Sequence, residues 1–127
     1  MAFPCVETST GAIVSQDSAV ASHLARKCPG LLGENAMQEA QVNQWLAWTE
    51  TNSGLMDFCV KAIQGHVKDV DQKVFTAKVG EVKALAKTVN SALKGKTTLV
   101  GSKTTLADLA VGAFFTPAFS LFLDAGF

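Results

Sequence analysis

An excess of charge of either sign is what this chain of 127 residues lacks: eleven lysines and arginines are balanced by eleven aspartates and glutamates, with two histidines besides. A balanced surface sets up no net field to draw in nucleic acid or an anionic membrane. Cysteine is scarce, and Cys5, Cys28 and Cys59 are odd in number with no C-x-x-C spacing. That argues against a disulfide framework and a cysteine-based zinc site, and fits a reducing, intracellular compartment. The opening MAFPCVETSTG has no basic leader and meets Pro4 and Glu7 too early for a signal peptide. Long hydrophobic runs are missing too. The longest uncharged stretch, Leu109 to Leu123, is fifteen residues, short of the roughly 20 that span a bilayer. Asp108 and Asp124 bracket it and Pro117 interrupts it, so the expectation is a central helix buried on all sides of a bundle. No internal repeat, phosphate-binding loop, dinucleotide fingerprint or H-E-x-x-H occurs. His23 and His66 are isolated, without metal-ligand spacing.

What is there reads as a short β end followed by helices. Residues 3 to 14, FPCVETSTGAIV, place Val, Thr and Ile around Ser9-Thr10-Gly11, the pattern of a hairpin. Asp17 is expected to cap a helix from Ser18 to about Lys27, stopped by Pro29-Gly30. Asn35-x-x-Gln38 has the spacing of a capping box. It opens a long helix with Val42, Trp45, Leu46 and Thr49 along one face, a bend expected at Gly54, and an end at Gly65. Residues 67 to 73, VKDVDQK, form a polar connection. From Val74 to Leu93, Phe75, Val79, Val82, Ala86, Val89 and Leu93 step by four and three while Lys78, Lys83 and Lys87 take another face, the clearest amphipathic helix in the chain. Gly101 then precedes Thr105-x-x-Asp108, in which the threonine hydroxyl and the carboxylate answer orphan N–H groups of the last helix and the acid meets the positive end of its dipole. A structural capping role for Thr105 and Asp108 therefore outweighs a catalytic one.

Taken in order, these segments resemble the glutathione-transferase superfamily. Phe3-Pro4-Cys5-Val6-Glu7 matches the strand whose proline is cis in that family, and VSQDSAV, residues 14 to 20, matches its "E-S-x-A-I" helix start. SHLAR (22 to 26), QVNQW (41 to 45) followed by Leu46, and Leu99-Val100-Gly101 with Thr105-Leu106-Ala107-Asp108 match further family patterns. The combination is most similar to the non-enzymatic branch in translation, the gamma subunit of elongation factor one, and shares much with domains associated with aminoacyl-tRNA synthetases. The resemblance implies a mainly α fold: a transferase C-terminal-type bundle over 35–127, incomplete at its end, preceded over 1–34 by the last hairpin and helix of a truncated thioredoxin-like half. It also implies that the chain is a fragment.

In the family, the "E-S" pair contacts the γ-glutamyl carboxylate of glutathione. Here Gln16-Asp17 stands in its place, and an ionised Asp17 would set like charges against each other, about 1 kcal/mol at 4 Å in water and more in a shielded cleft. Pro4, Gln16 and Asp17 are thus expected to be vestigial. Cys5 is the tempting nucleophile, but in a strand with no histidine nearby a buried thiol is the commoner case. Trp45 and Trp48 share a helix side and read as core or as interface. The expectation is a non-catalytic, cytoplasmic module that docks proteins of the translation apparatus, other elongation factor subunits or tRNA synthetases. It needs no cofactor, metal, nucleic acid or membrane, and a transferase-like dimer is also implied. The alternatives are a glutathione transferase fragment and a synthetase-associated scaffold.

Overall fold

The computed structural model describes residues 3–123. Its elements follow the chain as β1 (Cys5–Glu7), β2 (Ile13–Ser15), α1 (Asp17–Ala25), α2 (Ala36–Ile63), α3 (Gln72–Ala92) and α4 (Leu106–Leu121). The architecture is mainly α, a helical bundle with a small hairpin at one end. The strands pair antiparallel with Val6 opposite Val14. Gly11 sits at φ 80° in the turn and donates its N–H to the Thr8 carbonyl at 2.9 Å, a conformation that glycine adopts without steric cost. The Phe3–Pro4 peptide is cis.

Several boundaries differ from the sequence reading. Asp17 is the first residue of α1 rather than its cap, and Gln16 holds the cap position with no side-chain capping bond. The helix ends at Ala25, where Lys27 N–H already turns back to the Leu24 carbonyl at 3.0 Å. Helix α2 continues unbroken through Gly54, since a single helical glycine costs only about 1 kcal/mol. Half of its capping box forms: Asn35 accepts from Gln38 N–H at 2.9 Å, but the Gln38 Oε1 accepts from Glu34 N–H at 2.8 Å instead of returning to Asn35. Asp71 caps α3 by accepting from Lys73 N–H at 2.7 Å, so the helix begins two residues before Val74.

The core sits chiefly between α2 and α4. Val42, Leu46, Met56 and Cys59 face Leu106, Ala107, Val111, Phe115 and Ala118, with Val82 and Val89 of α3 closing one side. Ala107 and Ala118 are fully buried, and small residues there let the two helices approach closely. Burial of α4 on all sides, the expectation from its composition, is not what the structure shows: Leu109, Phe119 and Leu121 remain exposed at 52%, 57% and 42%. A helix in a bundle of few members is covered only where neighbours lie, and here α2 takes one side of it. Nor does Pro117 end the helix, which runs on to Leu121. Proline removes one intrahelical N–H, a loss that occurs here near the last turn.

The start of α4 is the most heavily tied point. Asp108 Oδ2 accepts from Thr105 N–H at 2.9 Å, and Oδ1 accepts from Leu99 N–H at 2.8 Å. The Thr105 hydroxyl lies 3.4 Å from the same carboxylate. Leu106 N–H donates to the Leu31 carbonyl at 2.8 Å. The Gln38 side chain lies against both Gly33 and Gly101: a Cβ on Gly33 would stand 2.6 Å from Gln38 Cβ, and one on Gly101 would stand 3.1 Å from Gln38 Nε2. Both glycines also hold positive φ, 96° and 63°. Lys103 Nζ bonds Glu34 Oε1 at 2.6 Å, which holds the Glu34 carboxyl below its usual range and the Lys103 ammonium above its own.

Candidate functional site

Where α1 begins, it meets α2 and α4 around an open groove of about 440 Å³. Asp17, Ser18 and Ala21 come from α1, which sets its first turn over the seam of the other two helices. The α2 wall carries Leu46, Thr49, Glu50 and Ser53 at helical spacing, and the α4 wall carries Leu106, Leu109, Ala110, Ala113 and Phe114. The floor is apolar, and Asp17 and Glu50 stand at the edge.

Among the residues singled out from sequence, the groove gathers Asp17 alone; Pro4 and Gln16 do not line it. Gln16 has φ 79° and ψ 135°, far from the helical and extended regions in which glutamine is comfortable. Such a conformation in a residue other than glycine costs about 1–3 kcal/mol and tends to persist at functional sites. Trp45 and Trp48 are both half-buried, 5.4 Å apart edge to face, and Trp48 continues to Phe114 at 5.7 Å and Phe115 at 6.3 Å. Through Phe114 the aromatic cluster reaches the groove wall.

The thiols divide. Cys5 is half-buried in β1, Cys28 is exposed, and Cys59 is buried in α2. Burial pushes the Cys59 thiol up, with Glu81 adding to that and Lys78 opposing it, which leaves it protonated and unreactive at neutral pH. His23 is half-buried and His66 exposed. No group of three or more His, Cys, Asp or Glu among the described residues is set to hold a metal ion, and no helix is long and apolar enough to cross a membrane. A second apolar groove, about 490 Å³, opens between α3 and α4 beside Val89, Leu93, Val111 and Phe119.

The family model described as "Glutathione S-transferase, C-terminal domain" matches residues 46–126. The chain belongs to that family. The match takes in both long walls of the groove. Similar curated proteins include the glutathione S-transferase-like protein LUC7 of Fusarium, 27% identical over 127 residues, which cover 96% of this chain and 57% of that protein. Another is eukaryotic translation elongation factor 1 epsilon-1 of mouse, 31% identical over 109 residues, covering 84% of this chain and 51% of that protein. The chain thus spans about half the length of the curated relatives it matches.

Sequence reasoning missed the role of Glu50 and Leu109. Leu46, Glu50, Ser53 and Asp57 recur by four, three and four residues, one stripe of α2. Its acids become a groove edge only because α4 supplies the other wall.

Proposed function

We propose that this chain is a non-catalytic, transferase-like protein-interaction domain of the translation machinery. Its division into a thioredoxin-like remnant over 1–34 and a helical domain over 35–127, and its cytoplasmic location, belong to the same proposal. The observation that carries the reading is Asp17 at the first turn of α1, at the edge of the groove. In the resemblance this position contacts the γ-glutamyl carboxylate, and a helix N-terminus otherwise favours an anion; a second carboxylate there opposes glutathione. The similarity to elongation factor 1 epsilon-1 supports translation as the setting. Assignment to a gamma-like subunit and a transferase-like dimer go further along the same line. The partners would be other elongation factor subunits or tRNA synthetases.

Passing the 127-residue chain over immobilised glutathione, beside a pull-down with purified elongation factor subunits and synthetases, tests this. The reading expects no retention by glutathione and capture of at least one translation protein. A second reading, a glutathione transferase fragment, is favoured by the likeness to the Fusarium transferase-like protein. Glutathione retention, together with turnover of a standard electrophile above the uncatalysed rate, would select it.

A further inference from the structure

The even balance of charge holds for the chain as a whole and not along it. Six of its eleven lysines and arginines, Lys73, Lys78, Lys83, Lys87, Lys94 and Lys96, fall between residues 73 and 96, where Glu81 is the one acid. Ten of the eleven acids lie elsewhere. Helix α3 and the turn after it are thus a strongly positive segment in a chain of no net charge. Such asymmetry points to a polyanion as partner.

The fold sorts these charges. Val82 and Val89 are buried against the bundle, and Lys78 turns to Glu81 on the flank, Nζ to Oε1 at 3.0 Å. On another side Lys73, Thr76, Gly80, Lys83, Lys87, Asn90 and Lys94 follow one another by three or four residues, a single stripe of the helix continued into the turn beyond Ala92. All are exposed but Lys83, which is half-buried. The stripe holds four lysines, no acid and no large apolar side chain. It runs about 31 Å at roughly 1.5 Å per residue, close to one turn of a nucleic-acid duplex, about 34–36 Å. A face of this composition gains nothing from burial in a core.

We propose that the α3 stripe is a docking face for the phosphate backbone of duplex nucleic acid, held without regard to sequence. Lysines aligned along a helix are the electrostatic footprint of such binding, and each ammonium that meets a phosphate releases a condensed counterion. What the stripe lacks selects this polyanion over others. A protein interface is depleted in lysine and anchored by aromatic or apolar side chains. A membrane surface takes apolar side chains alongside the charge, and a single strand stacks its bases on aromatic rings. The stripe offers none of these anchors. This inference goes beyond the reading of the chain as a protein-interaction domain, and it replaces the expectation that nucleic acid plays no part.

The test uses the 127-residue chain and fluorescein-labelled duplexes of about 20 base pairs, one of RNA and one of DNA, at about 0.05 M salt. Anisotropy should report binding with a Kd of roughly 1–100 μM, tighter than for the matching single strand. Binding of either duplex carries the proposal, and a preference tells whether RNA or DNA supplies the phosphates. The plot of log K against log salt should have a slope of about −3 to −4, as four lysine–phosphate contacts require. Lys87→Gln with Lys94→Gln should reduce that slope by about two, and Lys87→Glu with Lys94→Glu should abolish binding. Lys27→Glu, at an exposed position just past α1, should weaken it by less than about three-fold, since a distant charge is screened. Circular dichroism confirms that each variant is folded. No binding of either duplex by the folded protein overturns the proposal, as does a slope near zero, or an affinity that charge reversal at Lys87 and Lys94 leaves unchanged. A single strand held as tightly as its duplex overturns it too. So does equal binding of polyglutamate or of anionic lipid vesicles, which would give the face to an acidic protein or a membrane.

Discussion

Helices α1 and α4 begin in opposite ways. At α4, Asp108 accepts from two backbone N–H groups, Thr105 and Leu99, and Leu106 N–H reaches the Leu31 carbonyl. At α1, the cap residue Gln16 has a positive φ and makes no side-chain capping bond, and Asp17 and Ser18 face a groove. Both starts are acidic. An acid in a first turn thus has two distinct uses, set by what else reaches it. Folded back onto the backbone it is structural, and left at a groove edge it is available to a ligand.

The largest effect is expected in the core that the well-tied start serves. Phe115 is 6% exposed beneath α2, and Phe115→Ala should lower stability by about 3–5 kcal/mol in a denaturant titration. Trp45→Ala, at a half-buried site, should cost less than that. A larger loss for Trp45 would put the centre of the core at the wrong place.

Next come the two acids. Asp108→Ala removes two hydrogen bonds to a carboxylate and should cost about 3 kcal/mol. Asp108→Asn retains one acceptor oxygen and should cost less, and Thr105→Ala about 1 kcal/mol. Asp17→Ala should stay within about 0.5 kcal/mol, as changes at exposed positions do. Equal melting-temperature losses for Asp17→Ala and Asp108→Ala would erase the contrast between the two starts.

A smaller effect, of the opposite sign, is expected at Gln16. Gln16→Gly relieves a conformation costing about 1–3 kcal/mol, less the roughly 0.5–1 kcal/mol of added chain entropy. The net gain should be about 1 kcal/mol, and Gln16→Ala should show none. Smallest of all should be Cys28→Ser, within about 0.5 kcal/mol at an exposed site. Thiol labelling of the folded protein should find Cys28 first and Cys59 only on unfolding, since Cys59 is buried and its thiol is pushed up.

What could be read from sequence was local. The α3 stripe from Phe75 to Leu93 is a periodicity, and the structure buries Val82 and Val89 and half-buries Phe75, Val79, Ala86 and Leu93. Thr105 and Asp108 are three residues apart, so their contact is written in spacing alone. The bond from Leu99 N–H to Asp108 is not, because it depends on how the preceding loop folds back. Gln38 has capping-box spacing from Asn35, yet its oxygen serves Glu34 and its side chain fills the space between two glycines. The exposed face of α4 was illegible for the same reason: composition says that a helix is apolar, and only its neighbours decide which sides are covered. Glu50 shows the limit for the site, since its groove exists only once α4 lies opposite.

The glycine pair around Gln38 has a consequence for how the domain closes. Gly33 and Gly101 rest on one side chain, and beside them Lys103 and Glu34 meet across 69 residues of sequence. Bringing such distant points together costs roughly 4 kcal/mol of chain entropy beyond a constant term. Once shut, this clasp sets the start of α4 against the start of α2, so that the alignment of the two groove walls is inherited from a contact outside the groove. A bulkier residue at Gly33 would press on Gln38 at the start of α2 and so disturb how the two walls are set.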